Sequence, residues 1–485
     1  MAAPGIRFGT DGWRGVIAAE FTFAAVRVVA AAIARQVLAT TVTGPHPTVL
    51  VGYDTRFLSK EFAEAAARVL RGQGLEVRLA STFLATPLLS YGVVHAVAEG
   101  GMMITASHNP PQYNGVKYKS RHGGSASLEF TRGVEREIRA LEAPGAPGAG
   151  AVPESGEALP EFDPRPAHRV RMKELVDLPR IAAAPLEVFL DPMYGAGQGY
   201  LSGILRALRL RVTELHAEVN PAFGGQPPEP LARHLTELTR AITNQPYSGG
   251  GTLRVGLALD GDADRLAAVD EQGRYVNSHQ IFALLLKHLF VHRGMTGRVV
   301  KAFSSGQMVD KLADAYGLPL TVTPIGFKYI AEEMLKRDVL IGGEESGGVA
   351  IRGHIPERDA ILAALLLLEY VATEIRPLGA LLADLEKEFG PHRYERVDVP
   401  LLSLEATEAV VEQVAEDPPE AVKGVKVVRV EDLDGVKLHG ADGSWLLLRR
   451  SGTEPLLRIY AEGPSEERVA ELLKWGIRRA KRAEA

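Results

Sequence analysis

At 485 residues the chain is longer than one hydrophobic core serves, so three or four units that each bury their own core are expected. Its 55 Lys plus Arg against 60 Asp plus Glu leave a net charge of -5, which offers no global attraction to nucleic acid or to an anionic membrane. No cysteine is present, which excludes disulfides and thiolate metal sites, and Met1 to Arg14 carries no basic flank followed by an apolar run, so the expected setting is cytoplasmic.

From residue 21 to residue 142, helix-period stretches alternate with short apolar runs: Ala24 to Ala39, Thr48 to Tyr53, Phe62 to Leu70, Val77 to Ala80 and Gly101 to Thr105. That alternation predicts a parallel α/β sheet. Glu142 to Pro160 is a Pro, Gly and Ala stretch with no periodicity, and marks the clearest boundary. The α/β pattern recurs with strand-like Leu186 to Leu190 and Val255 to Leu259, and again with Val299 to Ala302, Leu320 to Val322 and Val339 to Ile341. Ala360 to Ala372 is too short to span a bilayer, is interrupted by Glu369, and predicts a buried helix. After Pro377 an amphipathic segment, β-like runs at Trp445 to Leu448 and Leu457 to Tyr460, and a closing helix from Ser465 predict a smaller α+β domain. The expected domains are 1–150, 151–268, 269–378 and 379–485.

Four segments carry chemistry. Thr105-Ala-Ser-His-Asn-Pro-Pro111 follows a strand and holds the Ser107 hydroxyl beside the His108 imidazole in a proline-bounded turn, which suits a reactive side chain and equally an ordinary polar loop. Asp260-Gly-Asp-Ala-Asp-Arg265 ends an apolar strand with three carboxylates at alternate positions, a hard oxygen cluster for magnesium or calcium, or a solvated acidic turn. A calcium loop is the competitor, but Arg265 stands where such a loop needs its sharp-turn glycine. Gly342-Gly-Glu-Glu-Ser-Gly-Gly348 offers Glu344 and Ser346 to a sugar diol, or is a flexible turn. Arg449-Arg-Ser-Gly-Thr-Glu-Pro455 gathers guanidinium, hydroxyls and glycine between two β-like runs, the equipment of a phosphate cradle or of a hairpin with solvated arginines.

Together with Phe8-Gly-Thr-Asp-Gly-Trp-Arg-Gly15, these segments resemble in order and content the α-D-phosphohexomutases, the phosphoglucomutase and phosphomannomutase family, over nearly the whole chain. The resemblance implies four domains around a central cleft: three similar α/β domains with mixed or parallel sheets, and a smaller α+β C-terminal domain. It implies that Ser107 carries phosphate and completes a site for one Mg2+ with Asp260, Asp262 and Asp264. Lys117, in Asn114-Gly-Val-Lys117, matches the general acid or base; Arg14, His108 and Arg265 match residues that support transfer. Glu344 and Ser346 match sugar contacts, Arg449, Ser451, Gly452 and Thr453 match the loop that grips the other phosphate, and Lys301 is similar to a cleft lysine. His354, in Arg352-Gly-His354, reads as structural.

The resemblance implies a phosphohexomutase that works through a phosphoserine and a 1,6-bisphosphate, with glucose 1,6-bisphosphate as activator. Its partner is a hexose phosphate, with no nucleic acid or membrane, and the chain is expected to be a monomer or homodimer. Glu344-Glu-Ser-Gly-Gly348 is similar to the glucose-preferring form, because Gly348 stands where the dual glucose and mannose group and the glucosamine group carry histidine. The expected sugar is therefore glucose, with mannose and glucosamine phosphates as alternatives. A phosphosugar-binding protein without catalysis is the rival of another class.

Overall fold

The computed structural model describes residues 6–8, 12–41, 47–143, 152–244, 251–452 and 455–482. Contacts divide the chain into two units, residues 1–297 with 326–379, and residues 298–325 with 380–485.

The first unit opens on a six-stranded sheet in the order Trp13–Val16, Tyr113–Ser120, Gly100–Ile104, Thr48–Tyr53, Glu76–Ala80, Glu161–Phe162. Thr48–Tyr53 runs parallel to both Glu76–Ala80 and Gly100–Ile104, as the helix-strand alternation predicts. The sheet is mixed, however, because Tyr113–Ser120, a strand that hydropathy does not mark, pairs antiparallel with Gly100–Ile104 and with Trp13–Val16. The physical reason is the short connection from Ile104 to Tyr113, since a parallel return needs a crossover of a dozen or more residues. Gly12, at φ 129°, enters the edge strand where an added Cβ would lie 2.0 Å from the Val116 carbonyl oxygen, so only glycine passes. The helix Phe23–Thr40 is long and apolar enough to cross a membrane by composition alone, yet Val26, Val28 to Ala34 and Val37 are buried as it packs on Ser59–Gly72 and Leu128–Glu142.

A second sheet in this unit has the order Tyr275–Val276, Leu266–Val269, Leu253–Leu259, Leu186–Asp191, Arg211–Glu214. Leu253–Leu259 is buried at every position, which is why Val255 to Leu259 reads as a continuous apolar run instead of an alternating one, while Arg254 is answered by Glu187 at 2.9 Å. Val339–Gly343 pairs antiparallel with Val349–Ile351. The helix Ala360–Glu374 follows, buried from Ala360 through Ala372. Its one interior charge, Glu369, is paired: the carboxylate accepts from the Asp177 backbone N–H at 2.8 Å and lies 2.9 Å from His288 Nε2.

In the second unit, Arg298–Ala302 and Leu320–Thr323 pair in parallel. A six-stranded antiparallel sheet runs Arg393–Pro400, Leu456–Gly463, Trp445–Arg450, Val436–Gly440, Val425–Glu431, Ala421–Val422. Alternation along Trp445–Arg450 gives it two buried faces. Leu446 and Leu448 join the core that holds Leu472 and Leu473 of the closing helix Glu466–Arg482, while Trp445 and Leu447 pack with Phe303 and Tyr460.

Candidate functional site

Three strands of the first unit release the residues of interest from their C-terminal ends, where open α/β sheets place ligands. Ile104 leads to Ser107, Leu259 to Asp260, and Gly343 to Glu344. Ser107 is buried with a left-handed φ of 51°, and its Oγ donates to Asp260 Oδ2 at 2.7 Å. His108 Nδ1 is 3.5 Å from that Oγ. The acidic loop turns back over itself: Asp260 Oδ1 accepts from the backbone N–H groups of Asp264 and Arg265 at 3.0 and 3.1 Å, and Ala263 takes φ 55°. An added Cβ on Gly261 would lie 2.4 Å from the Ser107 carbonyl oxygen, so this glycine permits the two loops to touch.

Lys117 stands on Tyr113–Ser120 opposite Met103 and reaches the same loop, 2.8 Å from Asp262 Oδ2 and 3.1 Å from Asp264 Oδ2. Thr86 Oγ1 donates to Asp262 Oδ2 as well. Arg265 Nε lies 3.7 Å from Asp264 Oδ1 and 4.0 Å from Asp260 Oδ2. Arg14 donates to Asn109 Oδ1 at 2.6 Å, which ties the N-terminal motif to the serine turn. Gly9, Thr10 and Asp11 of that motif lie outside the described residues.

Burial, together with Asp264 and Asp262 beside it, pushes the Asp260 carboxyl well above the usual range. Burial acts on Asp262 too, but the Lys117 ammonium and the Thr86 hydroxyl outweigh it and hold that carboxyl well below the usual range. The donor set fits a hard divalent cation. Asp260, Asp262 and Asp264 each offer an oxygen within 4.8 Å of the others, and all are fully buried. Asp262 Oδ1 and Asp264 Oδ1 are buried acceptors with no hydrogen-bond partner among the described residues, an arrangement a cation would relieve.

The sugar-motif residues also lie in the first unit. Glu344 accepts from the Gly326 N–H at 2.9 Å and sits 3.5 Å from Arg358 Nη1. Burial, against the pull of Arg358, lifts its carboxyl to about 7. Ser346 Oγ is buried without a hydrogen-bond partner among the described residues. In the second unit Arg449 Nε donates to Asp434 at 2.9 Å, Ser451 is buried with its N–H on the Leu456 carbonyl, and a Cβ at Gly452 would meet nothing within 4 Å. Thr453 lies outside the described residues. Lys301 is buried in that unit and bonds the Asp310 carboxylate and the carbonyls of Ser305 and Gly306, a local set that already accounts for its charge.

Sequence reasoning missed Arg358 and Arg56. Arg358 Nη2 is 2.8 Å from Asp264 Oδ2, and its stem fills the space beside Gly348, where a Cβ would lie 2.0 Å from Arg358 Cδ. The signal was the run Glu357-Arg-Asp359 set directly before an apolar helix. Arg56 follows the end of the strand Thr48–Tyr53, in Asp54-Thr-Arg56, and points its guanidinium at the serine turn. A separate convergence, His168, His354 and Asp359, is a strut. Asp359 Oδ1 caps the helix Ala360–Glu374, while its Oδ2 lies 3.0 Å from His168 Nε2 and 2.9 Å from His354 Nε2. His354 is thus placed in a structural network beside Arg358.

A hydroxyl and a buried carboxylate cluster at strand ends, with a lysine reaching them from a neighbouring strand, define a phosphotransferase of α/β domains whose carboxylates could hold a divalent cation. Comparison with known proteins makes this specific. The chain matches the phosphoglucomutase/phosphomannomutase alpha/beta/alpha domains I, II and III over residues 5–144, 168–273 and 277–389, and the family's C-terminal domain over 407–474. It is 30% identical to a phosphoglucomutase/phosphomannomutase of Thermococcus kodakarensis, covering 97% of each chain. It is 31% identical to a phosphoglucosamine mutase of Limosilactobacillus fermentum, covering 95% of each. A crystal structure from Thermus thermophilus, provisionally named a phosphomannomutase, is 38% identical with a TM-score of 0.86 over 99% of this chain and 100% of that one. The chain belongs to the phosphoglucomutase/phosphomannomutase family of the α-D-phosphohexomutases, and is an enzyme of the mutase type that transfers phosphoryl groups.

Proposed function

We propose that the chain interconverts glucose 1-phosphate and glucose 6-phosphate through a phosphorylated Ser107 and a bound 1,6-bisphosphate, with glucose 1,6-bisphosphate as activator. The observation that carries this is the Ser107 Oγ, bonded to Asp260 while Lys117 bridges Asp262 and Asp264. The bond from phosphorus to the Ser107 oxygen breaks as a sugar hydroxyl bonds to the same phosphorus; the hydroxyl proton passes to Lys117 in its neutral amine form, which the ammonium reaches by first losing a proton, and after the bisphosphate turns over the reverse step returns the other phosphate to Ser107. Asp260, Asp262 and Asp264, with the serine phosphate, would hold magnesium, which neutralises charge on the transferred group when bound. Arg14, His108 and Arg265 add positive charge or donors around the serine turn. Glu344 and Ser346 orient the sugar, and Arg449 with Ser451, Gly452 and Thr453 grips the phosphate that is not moving. Lys301 would contribute to that grip only by leaving Asp310.

Glucose is favoured because residue 348 is glycine and the neighbouring volume belongs to Arg358. The relatives are named for different sugars, so mannose and glucosamine phosphates belong in the same assay. The test is conversion of glucose 1-phosphate with magnesium and a trace of glucose 1,6-bisphosphate, by wild type beside Ser107→Ala. Turnover by wild type that Ser107→Ala lacks supports the reading; equal turnover by both would remove Ser107 from the reaction, and faster turnover of mannose or glucosamine phosphate would replace glucose.

A further inference from the structure

The turn that carries Ser107 is held by one side chain with no part in the scheme above. Arg56 is buried, and its guanidinium gathers four backbone carbonyls from the seven residues that begin at the serine. Nη2 donates to the oxygens of Ser107 and Asn109 at 2.6 Å each, and Nη1 donates to those of Pro110 and Tyr113 at 2.9 and 3.0 Å. The fork is itself held by two further groups, a carboxylate and a ring. Nε lies 3.4 Å from Asp54 Oδ2, and Asp54 Oδ1 accepts from the Arg56 N–H and from Ser59 Oγ at 2.9 and 2.7 Å. The ring of Phe223 lies 4.8 Å from the guanidinium carbon.

Carbonyls so close in sequence point at one centre only when the backbone curls around it. Ser107 takes its left-handed φ within that curl, a conformation that a non-glycine residue keeps only when its surroundings impose it. The Ser107 carbonyl held by Arg56 is also the oxygen packed against Gly261, so its position sets the turn against the acidic loop. We propose that Arg56 is a positioning residue for phosphoryl transfer, whose guanidinium curls residues 107–113 so that the Ser107 oxygen faces Asp260. The proposal rests on Ser107 as the phosphoryl carrier. Lysine cannot replace the arginine, because a single ammonium with three donors does not match four carbonyls spread across a planar fork.

Arg56→Lys and Arg56→Ala, compared with wild type and Ser107→Ala, test this with magnesium, glucose 1-phosphate and a trace of the bisphosphate. The readouts are kcat per folded molecule, KM, and phosphate on Ser107 by intact mass. The expected result is a kcat about 100-fold lower in both arginine variants with KM within about threefold, because the sugar contacts are untouched while the nucleophile is misplaced. Added guanidinium, at concentrations that leave wild type folded, should restore part of the kcat of Arg56→Ala, while equal sodium chloride and Ser107→Ala show no recovery. If Arg56→Ala does not fold, Arg56→Lys carries the same kcat and KM comparison. Arginine variants with wild-type kcat per folded molecule beside an inactive Ser107→Ala would overturn the proposal alone, as would recovery by sodium chloride equal to that by guanidinium. Full activity in Ser107→Ala would overturn the carrier reading beneath it.

Discussion

Replacing Lys117 by methionine tests the electrostatics of the site apart from its chemistry. Lys117 is 1% exposed, its ammonium lies 2.8 and 3.1 Å from the carboxylates of Asp262 and Asp264, each 0% exposed, and methionine keeps most of its volume while removing the charge. Breaking one side of a buried ion pair costs about 3–5 kcal/mol, because the remaining charge has lost its partner without regaining water. At about 2 °C per kcal/mol for a large domain, the thermal midpoint in chelator should fall by about 6–10 °C. A divalent cation supplies the charge that methionine lacks, so magnesium should raise the midpoint of Lys117→Met more than that of wild type, in which the lysine already neutralises the loop. Calorimetry with EDTA and then with excess magnesium reads both shifts, and kcat should stay at least about 100-fold low in magnesium because magnesium replaces the charge of Lys117 but not the amine that moves the hydroxyl proton. A midpoint unchanged in EDTA, or a magnesium shift no larger than in wild type, would refute the account of Lys117 as the loop's internal counter-charge.

Three further outcomes follow from the same geometry. Burial raises Glu344 from 4.5 to about 7, so its proton stabilises the folded state below 4.5 and that contribution is lost as pH rises through 7; wild type should lose about 3 kcal/mol relative to Glu344→Gln across that window, read by denaturation at several pH values. A flat difference would mean that folding leaves the titration of this carboxyl unchanged. Gly348→Ala puts a Cβ 2.0 Å from Arg358 Cδ and forces the guanidinium off Asp264; overpacking of about 1–3 kcal/mol and a lower kcat/KM are expected, and unchanged kinetics would show that Arg358 is dispensable there. The hydrogen bond to Asp191, opposed by burial, raises His216 from 6.5 to about 9, so its stabilisation is complete below 6.5 and lost as pH rises through 9. His216→Asn should therefore close the stability gap to wild type at high pH, and a gap that is constant from neutral to alkaline pH would contradict this.

How much of the fold is legible in the chain depends on where each strand finds its partners. Thr48–Tyr53 and, beyond the buried Arg254 that pairs with Glu187, Val255 to Leu259 announce themselves, because strands buried on both faces by apolar neighbours need only apolar residues. Tyr113–Ser120 is buried from Asn114 to Lys119, yet two of those residues are lysines and one is asparagine. Local hydropathy assigns such a segment to solvent. It stays inside because Lys117 meets Asp262 and Asp264, and Lys119 meets Glu357 at 2.6 Å, carboxylates 145, 147 and 238 residues further along.

The same asymmetry separates the site residues that were legible from those that were not. Ser107, Asp260 and Glu344 follow apolar strands directly, so the break from apolar to polar marks them, and glycine or proline beside them marks a turn. Arg56 and Arg358 also follow or precede apolar segments, but each lies in a short charged run that is indistinguishable from a solvated loop until its partners are known. For Arg56 those partners are backbone carbonyls, which no side-chain pattern can encode; for Arg358 they are a carboxylate 94 residues earlier in the chain and a glycine ten residues earlier, counted by position. Composition adds one constraint that local reading leaves unused: an arginine beside the end of an apolar strand is costly to bury unless something offsets its charge and its five donors. In Asp54-Thr-Arg56 the carboxylate that answers the charge is two residues away, and the remaining donors still require acceptors. That demand for acceptors turns a charged run at a strand end into a candidate for holding a neighbouring loop in shape.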